Sequence, residues 1–130
     1  MRPPISPGRL LRGGRVLALD IKTRESDEVV IVDLIGRATI GPATEHLSNT
    51  LRKIVEGGRR KILVNLARTQ QVDSSGISII VRTFVTMGRE GGVLKMCGAT
   101  GRVREVLTVT RLLDAIPSFD DEAAALASFK

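Results

Sequence analysis

The fold is decided by the stretch Val72-Asp73-Ser74-Ser75-Gly76-Ile77, where one sequence periodicity ends and another begins. Upstream of it, the short apolar run from Ile62 to Leu66 is typical of a buried strand. Downstream, apolar residues recur at helical spacing and predict a helix with one apolar face: Ile77, Ile80, Val81, Phe84 and Val85. A strand followed by a helix predicts an α/β unit, and such units usually bind partners beyond the carboxyl ends of their strands. We therefore expect Asp73 and both serines at that edge of the sheet.

Two interpretations of these polar residues are open. The simpler one is a helix cap, because side-chain oxygens at a helix start accept hydrogen bonds from its free N–H groups. We expect Ser75 to act as that cap. The other interpretation is a modification site at Ser74, because the partial positive charge of a helix amino terminus favours a phosphate group.

The composition predicts one soluble globular domain. The chain has 130 residues, of which 42% are hydrophobic and 26% charged. Four of the 20 basic residues lie in residues 1–15, which contain no acid, so 16 basic and 14 acidic side chains remain in residues 16–130. With no Trp or Tyr and only three Phe, the chain lacks the aromatic platforms of single-strand binders. We predict a flexible basic leader at 1–15, a domain at 16–130 and no nucleic-acid partner.

The sequence also argues against a membrane or secreted protein. No apolar run approaches the roughly 18 residues that a membrane-spanning helix needs. The leader lacks the hydrophobic segment of a secretory signal. We therefore expect a cytoplasmic protein that does not insert into a membrane.

No set of residues predicts catalysis, a metal site or a cofactor. The only histidine, His46, falls in a different helix from the serines, and no Gly-x-Ser-x-Gly signature is present. Cys97 is a lone cysteine in an apolar segment, which is typical of a reduced structural residue. The segment Gly98–Gly101 has neither dinucleotide-binding spacing nor a Walker lysine, so we interpret it as a turn. Asp33 is expected to face solvent or a cap. These patterns favour a non-enzymatic binding or switch module.

The remaining periodicities complete an α/β arrangement of four to five strands and about four helices. Strands are predicted at 17–21, 29–35, 62–66, 93–97 and 115–119, with the first two antiparallel. Helices are predicted at 42–56, at 75–89, from 100 onward and after 120. Residues 67–72 are predicted as a loop.

In this order and spacing, most of residues 16–130 resembles the STAS domain family of anti-sigma factor antagonists. The resemblance rests on Asp73-Ser74-Ser75-Gly76, on Gly91-Gly92-Val93-Leu94-Lys95 and on Thr110-Arg111-Leu112-Leu113. It is supported by the Leu-Ile-Gly end of the second strand and by Ser118-Phe119-Asp120-Asp121. The resemblance implies a single-layer mixed sheet with the helices packed mainly on one face.

The resemblance further implies a partner switch. Ser74, with Ser75 as the fallback acceptor, is phosphorylated by a serine kinase of the histidine-kinase-like ATPase fold that is itself an anti-sigma factor. The unphosphorylated antagonist binds this kinase and so releases a sigma factor, and a serine phosphatase resets the switch. The partner-binding residues implied are Thr39, Asp73, Ser74, Ser75, Gly76, Ser78 and Arg82. Asp73 is expected to orient the hydroxyl or bind the kinase's metal, and Gly76 to leave room for close approach. A homodimer is compatible with this scheme.

One departure from the family pattern leaves other hypotheses open. Kinase-regulated members often follow the second strand with Gly-Glu-Leu-Asp, whereas this chain has Gly36-Arg37-Ala38-Thr39 without a carboxylate. The chain could belong to a divergent subgroup with a different partner. It could instead be a scaffold or adaptor in a signalling or lipid/anion transport assembly, in which Ser74 is structural. A third hypothesis is a small nucleotide- or lipid-binding module that uses the edge near Ser74 and Gly98–Gly101.

Overall fold

The structure, a computed structural model, describes residues 18–130. The predicted leader at 1–15 and the start of the first strand at Leu17 lie outside these residues. The strands are β1 Leu19–Ser26, β2 Val29–Ala38, β3 Lys61–Asn65, β4 Thr69–Val72, β5 Val93–Cys97 and β6 Ser118–Phe119. The helices are α1 Pro42–Glu56, α2 Ser74–Arg89, α3 Gly101–Val109, α4 Leu112–Ala115 and α5 Glu122–Ser128.

The strands form one mixed sheet in the order β1-β2-β3-β5-β6. β1 and β2 are antiparallel, as predicted, and the pairs β2-β3, β3-β5 and β5-β6 are parallel. The hairpin turns at Asp27 and Glu28, whose φ angles of 47° and 71° match the two-residue turn that suits the twist of paired strands. In the parallel part of the sheet, the helices that follow β2, β4 and β5 all begin at the carboxyl edge.

The prediction of a loop at 67–72 was wrong, because Thr69–Val72 forms β4. β2 runs three residues further than predicted, and this extension pairs with β4 in parallel. Only the two ends of β4 are buried, and its centre is Gln70 and Gln71. This segment therefore has no apolar run from which a strand could be predicted.

The chain's last elements also differ from the prediction. The edge strand expected at 115–119 is limited to Ser118–Phe119, because Ala115 ends the short helix α4. This unpredicted helix follows Arg111, whose φ of 62° turns the chain between α3 and α4.

The helices lie mainly on one face of the sheet, as the resemblance implied. The larger core packs that face against α1, α2 and α3; its fully buried large side chains include Leu34, Leu47, Leu51, Ile62, Ile80, Met87 and Leu94. On the other face, α5 covers a smaller cluster that consists of Val29, Ile31, Leu63, Cys97 and Ala125. β2 contributes to both clusters, because successive side chains of a strand point to opposite faces.

A polar cluster fastens α5 to the sheet. Arg24 Nε donates to Asp33 Oδ2 at 2.7 Å, and Arg24 Nη2 donates to Glu122 Oε1 at 2.6 Å. Asn65 Nδ2 donates to both carboxylates, at 3.0 Å to Asp33 and 3.3 Å to Glu122. The prediction that Asp33 faces solvent or a cap was therefore wrong, because its carboxylate accepts from Arg24 of β1 and Asn65 of β3, which both also donate to Glu122 of α5. At the other end of α5, Lys95 Nζ donates to the Ser128 carbonyl and hydroxyl oxygens, each at 2.9 Å.

Candidate functional site

Ser74 is the first residue of α2 and lies exposed at the carboxyl edge of the sheet. β4 ends at Val72, and Asp73 between the two elements has an extended backbone with φ −111° and ψ −175°. This geometry places the Ser74 side chain where the helix N–H groups and the helix dipole act together.

Asp73, not Ser75 as predicted, caps α2. Its Oδ1 accepts from the N–H groups of Ser75 at 2.9 Å and Gly76 at 3.2 Å, and also from the Ser75 hydroxyl at 2.5 Å. Ser75 already lies inside the first helical turn, so its hydroxyl donates to the capping carboxylate. The other oxygen, Oδ2, accepts from the N–H of Ile40 at 2.8 Å, which ties the loop between β2 and α1 to the start of α2. The Ser75 hydroxyl bond and these backbone bonds hold the pKa of Asp73 below its usual range, against the opposing effect of burial.

The two serines have different environments. Ser75 is half-buried, and its hydroxyl is bonded to Asp73. Ser74 is exposed, and within residues 18–130 its hydroxyl makes no hydrogen bond. Asp73 therefore orients the Ser75 hydroxyl and not that of Ser74, and the alternative role expected for it, binding the kinase's metal, stays a prediction.

Gly76 is buried and serves the packing of α2 against the sheet. A Cβ atom there would lie 2.6 Å from the Ala38 carbonyl oxygen and 2.9 Å from Val72 Cγ2. This glycine thus permits the close approach of β2 to α2, and its role in the approach of a partner stays a prediction.

The other predicted partner-binding residues lie just before α1 and on α2. Thr39 is half-buried directly after β2, and Ser78 and Arg82 are exposed about one and two turns after Ser74. Arg82 also lines an open groove of about 380 Å³ between α1 and α2. The sequence did not point to Ile40, which is 82% exposed beside this edge. The one signal that the sequence offered for Ile40 is that it is an apolar residue in a loop and does not belong to the apolar stripe of a helix or strand.

The alternative sites offer little chemistry. A Cβ at Gly98 would lie 2.9 Å from the Ala67 backbone nitrogen, so this glycine accommodates the protein's own chain. Cys97 is buried, as expected, and desolvation together with the nearby Glu122 and Asp33 carboxylates raises the pKa of its thiol to about 11. Within residues 18–130, no group of three or more His, Cys, Asp or Glu side chains is placed to hold a metal ion. No helix in this part of the chain is both long and apolar enough to cross a membrane.

Residues 20–125 match the STAS domain family, and the chain belongs to that family. An anti-sigma F factor antagonist from Paenibacillus polymyxa is 26% identical over 117 residues, which cover 86% of this chain and 96% of that protein. An anti-sigma factor antagonist from Mycobacterium paratuberculosis has a similar crystal structure, with a TM-score of 0.74, 21% identity and coverage of 85% of this chain and 92% of that one. The Bacillus cell fate determinant SpoIIAA in its phosphorylated form also has this fold, with a TM-score of 0.68, 18% identity and coverage of 85% and 100%.

Proposed function

We propose that this protein is a non-enzymatic, cytoplasmic anti-sigma factor antagonist controlled by phosphorylation of Ser74. In its unphosphorylated form it binds an anti-sigma factor that is a serine kinase of the histidine-kinase-like ATPase fold, and so releases a sigma factor. A serine phosphatase restores this form. The name of the Paenibacillus polymyxa relative supports the general role. The phosphorylated form of SpoIIAA supports the idea that this fold accommodates a phosphate.

The observation that carries the proposal is the difference between the two serine hydroxyls. The Ser74 hydroxyl is exposed, whereas the Ser75 hydroxyl is engaged by Asp73. A kinase can reach the first without disturbing the structure, but phosphorylation of the second would break the helix cap. Ser74 is therefore the favoured acceptor and Ser75 the fallback.

The position of Ser74 explains how a phosphate could change binding without unfolding the domain. Phosphate adds a charge of about −1.5 to −2 at pH 7. At the first residue of α2, the helix dipole offsets part of the cost of that charge. The main effect therefore falls on the contact surface, where sterics and repulsion oppose docking. A loss of about 2.8 kcal/mol of binding free energy weakens a complex roughly a hundredfold.

Intact-mass measurement tests the acceptor. The protein is incubated with ATP and, one at a time, the kinases of this fold encoded in the same genome, each verified as active. We expect one kinase to add one phosphate to the wild type and to Ser75→Ala, but none to Ser74→Ala. Phosphate on Ser74→Ala would reassign the acceptor, and no phosphate on the wild type would favour the scaffold hypothesis.

A binding measurement with the same kinase tests the switch. We expect Ser74→Asp to weaken binding, by up to about a hundredfold, while the melting temperature barely changes. Ala123→Asp is the matched control, because it adds a carboxylate to an exposed first-turn position of α5 on the opposite face of the sheet. This control should bind like the wild type. A large drop in the melting temperature of Ser74→Asp would instead give Ser74 a structural role.

A further inference from the structure

The Ile40 side chain is exposed at the edge of the molecule, where it gains no stabilisation from burial of its apolar surface. Among residues 18–130 the exposed large hydrophobic side chains are Ile40 at 82%, Val109 at 81% and Val85 at 42%. Single exposed apolar residues are common on protein surfaces and by themselves indicate nothing. Ile40 differs from Val109 in what lies beside it.

The backbone of Ile40 is fixed in the free protein. Its N–H donates to Asp73 Oδ2 at 2.8 Å, and the next two residues are Gly41, with φ 120°, and Pro42, which begins α1. Val109 lies in the last turn of α3, so its backbone is held by the helix, and the two positions differ in what lies beside them. A side chain that is presented on a fixed backbone loses little further backbone entropy on binding, so it is well suited to anchor an interface.

Ile40 is also a neighbour of the proposed phosphoacceptor. The carboxylate that accepts its N–H belongs to Asp73, the residue directly before Ser74. Between β2 and α1 the chain has no charged side chain. Arg37 comes two residues before this loop. Ala38 lies beneath α2 against Gly76, so strand alternation directs Arg37 to the opposite face. This loop therefore adds an exposed apolar side chain, and no charged one, to the surface next to Asp73 and Ser74.

We propose that Ile40 is the apolar anchor of the docking surface and that it inserts into an apolar pocket of the anti-sigma kinase beside its phosphate-transfer site. This inference rests on the proposed function and names the chemistry of its partner. It also accounts for release, because a phosphate on Ser74 places charge at the rim of a contact from which water is excluded. Burying an unpaired charge there is costly.

Matched truncations test the anchor against the kinase that phosphorylates the wild type. We expect Ile40→Ala to weaken binding about 10- to 100-fold and Ile40→Asp to weaken it further, as truncation of a central interface residue does. Val109→Ala removes the same kind of side chain at the same exposure, and its affinity should stay within about twofold of the wild type. All three variants should keep the wild-type melting temperature, because neither side chain is buried.

The outcomes separate this inference from the proposed function. Wild-type affinity in Ile40→Ala, together with weak binding by Ser74→Asp, would overturn the anchor and leave the switch intact. Equal losses in Ile40→Ala and Val109→Ala would also overturn the anchor. A wild-type dimer that Ile40→Asp converts to a monomer, measured by light scattering, would show that a second copy covers Ile40 and would overturn the inference. If no kinase binds the wild type, both the proposed function and this inference are overturned.

Discussion

At the scale of single residues, the carboxylate of Asp73 connects the parts of the candidate site. One oxygen caps α2 and the other holds the backbone of Ile40, 33 positions earlier in the chain. The loop before α1 and the start of α2 therefore keep a fixed relation to each other. A partner that contacts Ile40 and Ser74 meets a surface whose geometry is already set.

Replacing Asp73 should reveal this role. We expect Asp73→Ala to lower the free energy of unfolding by about 1 kcal/mol or somewhat more, as loss of a helix cap usually does. Asp73→Asn should lose less, because asparagine also caps helices. The folded-state pKa of Asp73 is lowered, so its contribution is present above the unfolded-state pKa and is lost as the pH falls through the folded value.

Urea unfolding of the wild type and Asp73→Asn at pH 7 and at successively lower pH measures this contribution. The difference in unfolding free energy between the two should shrink as the pH falls below about 4, the ordinary aspartate pKa. A difference that stays constant down to pH 2 would mean that the charge of Asp73 contributes nothing to stability.

At the scale of elements, α2 provides two glycines with opposite surroundings. Gly76 is wedged against the Ala38 carbonyl oxygen, whereas a Cβ at Gly88 would meet nothing within 4 Å. The first glycine sets how closely α2 approaches β2, and through that approach it sets the height of Ser74 above the sheet edge. The second glycine only gives the unfolded chain more conformational freedom, which the chain loses on folding.

We expect Gly76→Ala to destabilise the protein by about 1–3 kcal/mol, because the rigid backbone of β2 must shift to admit the methyl group. Gly88→Ala in the same helix should stabilise it by about 0.5–1 kcal/mol, since alanine loses less conformational entropy on folding. Thermal unfolding of both variants measures the contrast. Equal effects of the two substitutions would show that the close contact at Gly76 is not a constraint.

At the scale of the whole molecule, the two faces of the sheet are covered unequally. Several helices cover one face, but the other depends on α5 with its small apolar cluster and the carboxylates of Asp33 and Glu122 around Arg24. α2, which carries Ser74, and α5 pack on different faces of the sheet. The stability of α5 should therefore be adjustable without altering docking.

Glu122→Gln tests this separation. We expect a loss of about 1 kcal/mol or less, because the Arg24 and Glu122 side chains are 45% and 33% exposed. Hydrogen exchange should quicken in α5, while kinase affinity stays unchanged. Asp114→Asn is the control, because its pair with Arg111 is 72% and 83% exposed and should contribute nothing measurable. Unchanged exchange in α5 of Glu122→Gln would show that the polar cluster does not hold the helix.

Much of this fold follows from local periodicity, and the remainder depends on contacts between distant positions. The apolar runs predicted β3 and β5, and the helical spacing after Asp73 predicted α2 to within one residue at its start. β4 was not predicted, because its pairing with β2, and not its own composition, makes it a strand. The link between Arg24 and Glu122 spans 98 positions, and no local pattern encodes it. At the site, the position of Ser74 was predictable, but the bond from Ile40 to Asp73 required the fold.

The hydroxyl of Ser74 lies near a carboxylate that is already occupied by four donors. Among residues 18–130, nothing accepts a hydrogen bond from that hydroxyl, so no side chain in this part of the structure is placed to remove its proton. We therefore expect an enzyme that modifies Ser74 to supply this base. The rate of phosphorylation at Ser74 would then depend on the abundance and turnover of the modifying enzymes. Substitutions in this chain would change its affinity for partners more readily than that rate.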